Sequence, residues 1–284
     1  MNVAFDVFSP QQWRVLQALS LYRYLTVEQM LRLGISKNAK SLRDKSLFAL
    51  RQHRCIQSEK IGSFLPDVHH LTKKGVEILN AVEGLELETA PSQKRAPFSA
   101  LFAAHRFAQV DFHIGLRQWA DERGDAEVLL ELQDFQHQRR NGGQSRPATE
   151  LTAPGLVSAV IPDGLFAVGL NTGQTAVYVM EIHRATQSKA VTEQLARYCE
   201  VITSGAIGQA YGYAANPVIC SVHHQPAVLA SVKRRLLAYE GFEKFHRNFV
   251  FHALGTLTSD FTGGWHFADD QPANPFPLPH PAQS

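Results

Sequence analysis

The sequence predicts a mixed α+β protein built in two parts, on three observations. Residues 1–83 carry three helix starts marked by capping residues, then two short apolar runs separated by a turn with Gly62 and Pro66. From about Ser99 to Phe267, helix-length and strand-length apolar patterns alternate. Between them, residues 84–98 (GLELETAPSQKRAPF) shift to small, charged and proline residues, the composition of a linker.

In the first part, Ser9-Pro10-Gln11-Gln12 opens a helix. Ser9 can cap, Pro10 suits the first helical position, and Gln12 stands three after the cap. Trp13, Leu16, Ala18 and Leu19 form its inner face. Thr26-Val27-Glu28-Gln29 repeats the capping box, with Met30, Leu31 and Leu33 behind it and Gly34 as the stop. Ser36 opens a third helix, to about His53, whose inner face is Ala39, Leu42, Leu47 and Leu50, with Ile56 closing the core. Ile56–Ile61 and Val68–Leu71 then read as a hairpin, and Thr72 caps a fourth helix, Lys73–Glu83. Three short helices followed by a hairpin make a winged helix-turn-helix, with the third helix as recognition helix.

Charge is distributed to match. The whole chain has a net charge of +2, but residues 1–80 hold twelve Lys and Arg against six Asp and Glu, a net of +6, leaving −4 for the rest. A basic first part predicts a polyanion partner, which for this motif is double-stranded DNA. Lys37, Lys40 and Ser41 stand at the start of the recognition helix, the end that enters the major groove, and are candidates for base edges. Lys45, Arg51, Lys60, Lys73 and Lys74 are candidates for phosphates. His69-His70 falls on the hairpin and reads as a surface or DNA-contacting pair, because neither it nor His223-His224 has the paired Cys/His spacing of a zinc site. Three widely separated cysteines suit reduced, buried thiols in a cytoplasm. No apolar run approaches the roughly 18–20 residues that span a bilayer, and the N-terminus does not read as a secretory signal.

In the second part the order is a helix Leu101–Glu122, a strand Glu127–Gln136 and a polar, flexible loop 139–155. Leu156–Pro162 and Leu165–Leu170 read as strand broken by Asp163-Gly164, and Ala176–Ile182 as a central strand. A helix Val191–Thr203, a strand Pro217–His223, a helix Ala227–Phe245 and a strand Phe249–Leu254 complete an α/β domain over 99–268. The proline-rich residues 269–284 read as a disordered tail.

Several motifs carry a resemblance. LTVEQML, a basic helix ending SLFALRQHRCI, and HHLTKKGVEIL look like the winged-helix domains of plasmid replication-relaxation and mobilisation accessory proteins. Further on, Ile161-Pro-Asp-Gly-Leu-Phe-Ala-Val-Gly-Leu and then Ala176-Val-Tyr-Val-Met-Glu-Ile-His resemble the PD-(D/E)XK nuclease core and the C-terminal domain of the same replication-relaxation proteins. The resemblance implies a restriction-endonuclease-like second domain and work at an origin of replication or transfer on a plasmid or integrative element. In such a nuclease Asp163 and Glu181 would hold a divalent metal, and a lysine two residues on would orient the attacking water. Here His183 occupies that place, Arg184 follows, and Lys189 is where a migrated lysine would stand. Asp111 and Glu131 are candidates for a third acid.

The expectation is therefore a cytoplasmic, double-stranded-DNA-binding accessory protein whose second domain is catalytically inactive. It needs no cofactor, with Mg²⁺ entering only if Asp163 and Glu181 are active. Replication or relaxase proteins and a second copy of the chain are further partners, and a membrane is not. Two alternatives stay open: a metal-dependent endonuclease targeted by the winged helix, and a transcriptional regulator whose second domain binds a partner or dimerises.

Overall fold

The computed structural model describes residues 8–63, 65–83, 100–139, 145–152 and 156–277. It is mixed α+β, with a five-stranded mixed sheet, a small three-stranded antiparallel sheet and a two-stranded ribbon. The chain divides into two compact units, Met1–Val110 and Asp111–Ser284. The division falls inside a helix, Ala100–Arg123, and so beyond the expected start at residue 99. The expected linker, 84–98, lies outside the described residues.

In the first unit, α1 (Pro10–Tyr22) starts on a complete capping box: Gln12 N donates to Ser9 Oγ, and Ser9 N donates to Gln12 Oε1. It buries Val15, Leu16, Leu19 and Tyr22, while Trp13 and Ala18 are half-buried. After β1 (Leu25–Thr26), α2 (Val27–Arg32) begins on a second such box, made by Thr26 and Gln29. The next helical stretch, α3, is made of three abutting pieces: Ala39–Ser41, the π-helical Leu42–Leu47 and Phe48–Gln52. Its cap is Asn38 and not Ser36, since Asn38 Oδ1 accepts from Ser41 N at 2.9 Å. The π segment explains how Leu42 and Leu47, five apart, share one buried face: in an α-helix that spacing diverges, and the wider i→i+5 turn brings it back into line.

The hairpin follows as β2 (Ile56–Glu59) and β3 (Val68–Leu71), paired from Ile56↔Leu71 to Glu59↔Val68. β2 ends before Ile61, which turns instead into a small cluster with Val68 and Ala103. β1 pairs with the other edge of β3, which the local sequence pattern does not foreshadow. Thr72 then caps α4 (Lys73–Glu83), accepting from Gly75 N. Gly75 is fixed by packing, because a Cβ there would lie 2.2 Å from the carbonyl oxygen of Cys55.

The second unit begins within α5 (Ala100–Arg123). Its sheet comprises β4 (Ala126–Gln133), β7 (Gly164–Leu170), β8 (Thr175–His183), β9 (Val218–His223) and β10 (Phe249–Ala253), in the order β10-β9-β8-β7-β4, with β5 (His137–Arg139) and β6 (Ser145–Pro147) forming the separate ribbon. β8, β9 and β10 are parallel, and β7 is antiparallel to both its neighbours. α6 (Ser188–Ser204), α7 (Ala206–Tyr211) and α8 (Pro226–Leu237) supply the crossovers. One core holds Val177, Val179, Leu195, Tyr198, Ile219 and Val232. Another cluster is aromatic and gathers Phe112, Tyr178, Phe261, Trp265 and Phe276.

Several expectations need correction. Within 139–155 the described residues are not a plain flexible loop: β6 pairs with β5, Ala148, Thr149 and Leu151 are buried, and Leu151 bridges Val160. Polar composition concealed this because Thr149 is satisfied inside, donating to the Pro162 carbonyl at 2.8 Å. Apart from that bridge Leu156–Pro162 is not strand, and the helix expected over Ala227–Phe245 stops at Leu237, with Gly241 at φ +81° beyond it. The tail expected to be disordered over 269–284 is packed as far as Pro277, and 278–284 lie outside the described residues. Phe276 is fully buried, and the carbonyls of Pro275 and Pro277 accept from Tyr178 Oη (2.9 Å) and Trp119 Nε1 (3.3 Å). Prolines erase helix and strand periodicity, but a single large ring suffices to anchor an irregular segment. Among the described residues no helix is long and apolar enough to cross a membrane.

Candidate functional site

Two places gather the expected functional residues. The first is the exposed side of α3 with the hairpin. α3 buries Leu42, Ser46, Leu47 and Leu50, and Ser46 Oγ donates to Gln11 Oε1 at 2.8 Å. Its opposite face leaves Lys40, Asp44, Lys45, Phe48 and Gln52 exposed. Lys37 and Arg51 are exposed as well, as are Lys60, Lys73 and Lys74 around the hairpin, while Ser41 is half-buried. Arg51 leans on the hairpin, its guanidinium 3.5 Å from Ser58 Oγ. Lys73 lies 3.8 Å from Glu77 in full solvent, a pair too exposed to hold it. Arg43, also exposed, joins this set, although its position two residues before Lys45 was the only signal in the sequence.

His69 does not belong to that surface. It is 4% exposed, and its Nδ1 shares a 2.7 Å hydrogen bond with Ser58 Oγ. β3 is the central strand of its sheet and buries Val68 and His69 in succession, while His70 is partly buried, its side chain 19% exposed and its Nε2 3.4 Å from Glu59. Burial, with the charge of Arg51 adding to it, pushes His69 down to about 4. The unfolded chain binds this proton near pH 6.5 and the folded chain only near pH 4. Stability is therefore whole above pH 6.5 and is lost as pH falls from 6.5 to 4. The expected loss is on the order of 3 kcal/mol. Denaturant titrations of the wild type between pH 7 and 4 should show it, and His69→Asn should flatten the slope; an unchanged slope in the variant would assign the loss elsewhere.

The second place is one end of the five-stranded sheet. Because β7 runs against its neighbours, its first residues meet the carboxyl ends of β4 and β8, where α/β sheets carry their ligands. Asp134, Asp163, Glu181 and Ser221 follow one another across adjacent strands: Asp134 N donates to the Asp163 carbonyl at 3.2 Å, Ile182 N donates to Asp163 Oδ2 at 2.7 Å, and Glu181 is in register with Ser221. One step further out, His183 is in register with His223, their rings 4.8 Å apart.

Glu181 is 2% exposed, and both its oxygens are engaged: Oε1 accepts from the Tyr198 hydroxyl and Oε2 from Gln194 Nε2 at 2.8 Å. Burial first, then the negative charges of Asp163 and Asp134, push its carboxyl well above the usual range. His223, with Nε2 2.8 Å from Ser221 Oγ, is pushed down to about 4 by burial and by Lys233. Lys189 is not brought to the acids: it is exposed, 3.8 Å from Glu193 one turn along α6. Of the two acids weighed as a third member, Glu131 is already engaged, 2.7 Å from His113 Nε2 and 2.6 Å from Arg117 Nη2. The acid that joins Asp163 and Glu181 is Asp134, which was not among the residues expected there. Its signal was the register, since it follows Gln133 opposite Gly164.

These residues fit a divalent metal poorly. Hard cations need oxygen ligands turned toward them, whereas both Glu181 oxygens are already taken up by Tyr198 and Gln194. Compared with known proteins, the chain matches no family model, no curated protein and no solved structure.

Proposed function

We propose that the protein binds double-stranded DNA through its first unit. In this reading the unit is a winged helix-turn-helix, α3 is the recognition helix and the β2–β3 hairpin is the wing. One observation carries it: α3 buries a leucine face and turns Lys40, Arg43, Lys45 and Arg51 to solvent, next to an antiparallel hairpin bordered by Lys60, Lys73 and Lys74. The second unit is a PD-(D/E)XK-like scaffold without nuclease activity, and the protein is an accessory factor, resembling replication-relaxation proteins, at a plasmid or mobile-element origin of replication or transfer. Its place is the cytoplasm, in keeping with the free and buried Cys55, Cys199 and Cys220. Replication or relaxase proteins are the partners this role calls for. Sequencing the DNA crosslinked to the protein in cells is the test: enrichment at one replicon's origin is expected, and recovery of RNA alone or of no DNA would refute the role.

The same reading predicts no cleavage of supercoiled plasmid with Mg²⁺ or Mn²⁺. Asp163→Ala should leave duplex affinity little changed, because Asp163 belongs to the second unit and is not among the residues assigned to DNA. Metal-dependent nicking that vanishes in both Asp163→Ala and Glu181→Ala would replace this reading with that of a targeted endonuclease.

A further inference from the structure

One side chain on the outward face of α3 serves neither the core nor a phosphate. Phe48 is 51% exposed and projects away from Leu47 and Leu50, with Lys45 before it and Gln52 one turn after it. Its ring has no aromatic or cationic partner among the described residues, unlike Phe102, the other exposed phenylalanine among the described residues of this unit, which lies under the Arg106 guanidinium. A phenyl ring left in water forgoes the free energy of burial, and a solvent-facing helical turn takes a polar residue without that cost. What surrounds the ring narrows what would cover it. On α3, Lys45 and Arg51 stand one turn to either side of it, with Arg43 and Lys40 further along the helix, whose one acid is Asp44. An apolar side chain framed by cations fits a polyanion that presents apolar groups between its charges. The major groove of duplex DNA does so, with the thymine C5-methyl lying between the phosphate backbones.

We propose that Phe48 is a specificity-determining residue that packs on thymine methyl groups in the major groove, giving the protein a preference for sites with thymine under the middle of α3. This rests on the DNA-binding reading above. Phosphate contacts from Lys45 and Arg51 would set affinity and orientation without regard to sequence, and Phe48 would add discrimination that these two contacts lack.

The test uses the full chain and the duplexes it enriches from a random-sequence pool, resynthesised with deoxyuridine in place of thymidine. The exchange removes only the methyl group. The wild type should lose about fourfold in affinity for each methyl group it covers, as expected for burying one such group. Phe48→Ser should bind the thymine and uracil duplexes equally, and Phe48→Leu should keep part of the difference. Equal binding of both duplexes by the wild type would overturn the proposal while leaving DNA binding in place. Full discrimination retained by Phe48→Ser would assign the methyl recognition to another residue and overturn it too. Failure to enrich or bind any duplex would remove the DNA-binding reading and this inference together.

Discussion

Phe276→Ala should destabilise the second unit by about 3–5 kcal/mol, the range for removing a fully buried phenylalanine. The ring sits at the centre of an aromatic cluster, with centroids 4.6 Å from Phe261, 4.9 Å from Tyr178, 5.3 Å from Trp119 and 5.6 Å from Trp265. The large ring leaves a cavity that this cluster closes only in part, so the cavity adds its own cost to that of the missing apolar burial. Removing residues 269–284 should act in the same direction and further. It takes away Phe276, the carbonyls bonded by Tyr178 and Trp119, and Asp270, whose carboxylate pairs with the buried Lys233. A buried lysine without its partner is a costly group. Urea unfolding followed by the fluorescence of Trp119 and Trp265 reads the effect directly. A loss below about 1 kcal/mol for Phe276→Ala would mean that the C-terminal segment is a loose cover rather than part of the core.

The second large effect concerns binding. Lys40→Ala with Lys45→Ala should weaken duplex affinity by at least about fivefold at about 0.15 M salt and reduce the salt slope by about 0.9, because Lys45 is assigned to a phosphate, each of which contributes about 0.9, and Lys40 to a base edge. Both lysines are exposed on the face of α3 opposite its leucines, so the fold should survive and circular dichroism should be unchanged. Lys189→Ala, which alters an exposed cation paired with Glu193 in the second unit, serves as the control and should leave both quantities alone. A double variant with wild-type affinity and slope would show that α3 is not the DNA surface.

Much of this architecture could be read from the chain because its helix starts are chemically explicit. Ser9 with Gln12, Thr26 with Gln29, and Thr72 with Gly75 form the capping bonds their residue types require. The alternation of the hairpin and the apolar runs of β7, β8 and β9 likewise fixed the strands to within a few residues. What escaped was whatever depended on neighbours distant in sequence. β1 is two residues long and becomes a strand only because β3 lies beside it. Thr149 and Glu150 look like loop residues and are buried because a carbonyl and Arg146 receive them. At the acidic end of the sheet, Asp163 and Glu181 were marked by motif, but Asp134 joins them only through strand register. Tyr198 and Gln194, which engage Glu181, come from a helix whose facing side no local pattern reveals. The same holds for His69: adjacent histidines look equivalent in sequence, and His69 is buried where β3 lies between β1 and β2, opposite Leu25 and Ser58.

The central claim is that the first unit is a double-stranded-DNA-binding module, and the most direct measurement is the affinity of the full chain for a fluorescent random-sequence duplex as a function of salt. Five cations, Lys45, Arg51, Lys60, Lys73 and Lys74, are assigned to phosphates and all are exposed. Anisotropy titrations from about 50 to about 200 mM salt should give log K falling linearly with log salt at a slope of about −4.5, or about 0.9 for each such cation. Absence of binding at about 50 mM salt, or binding with a slope near zero, would contradict the account.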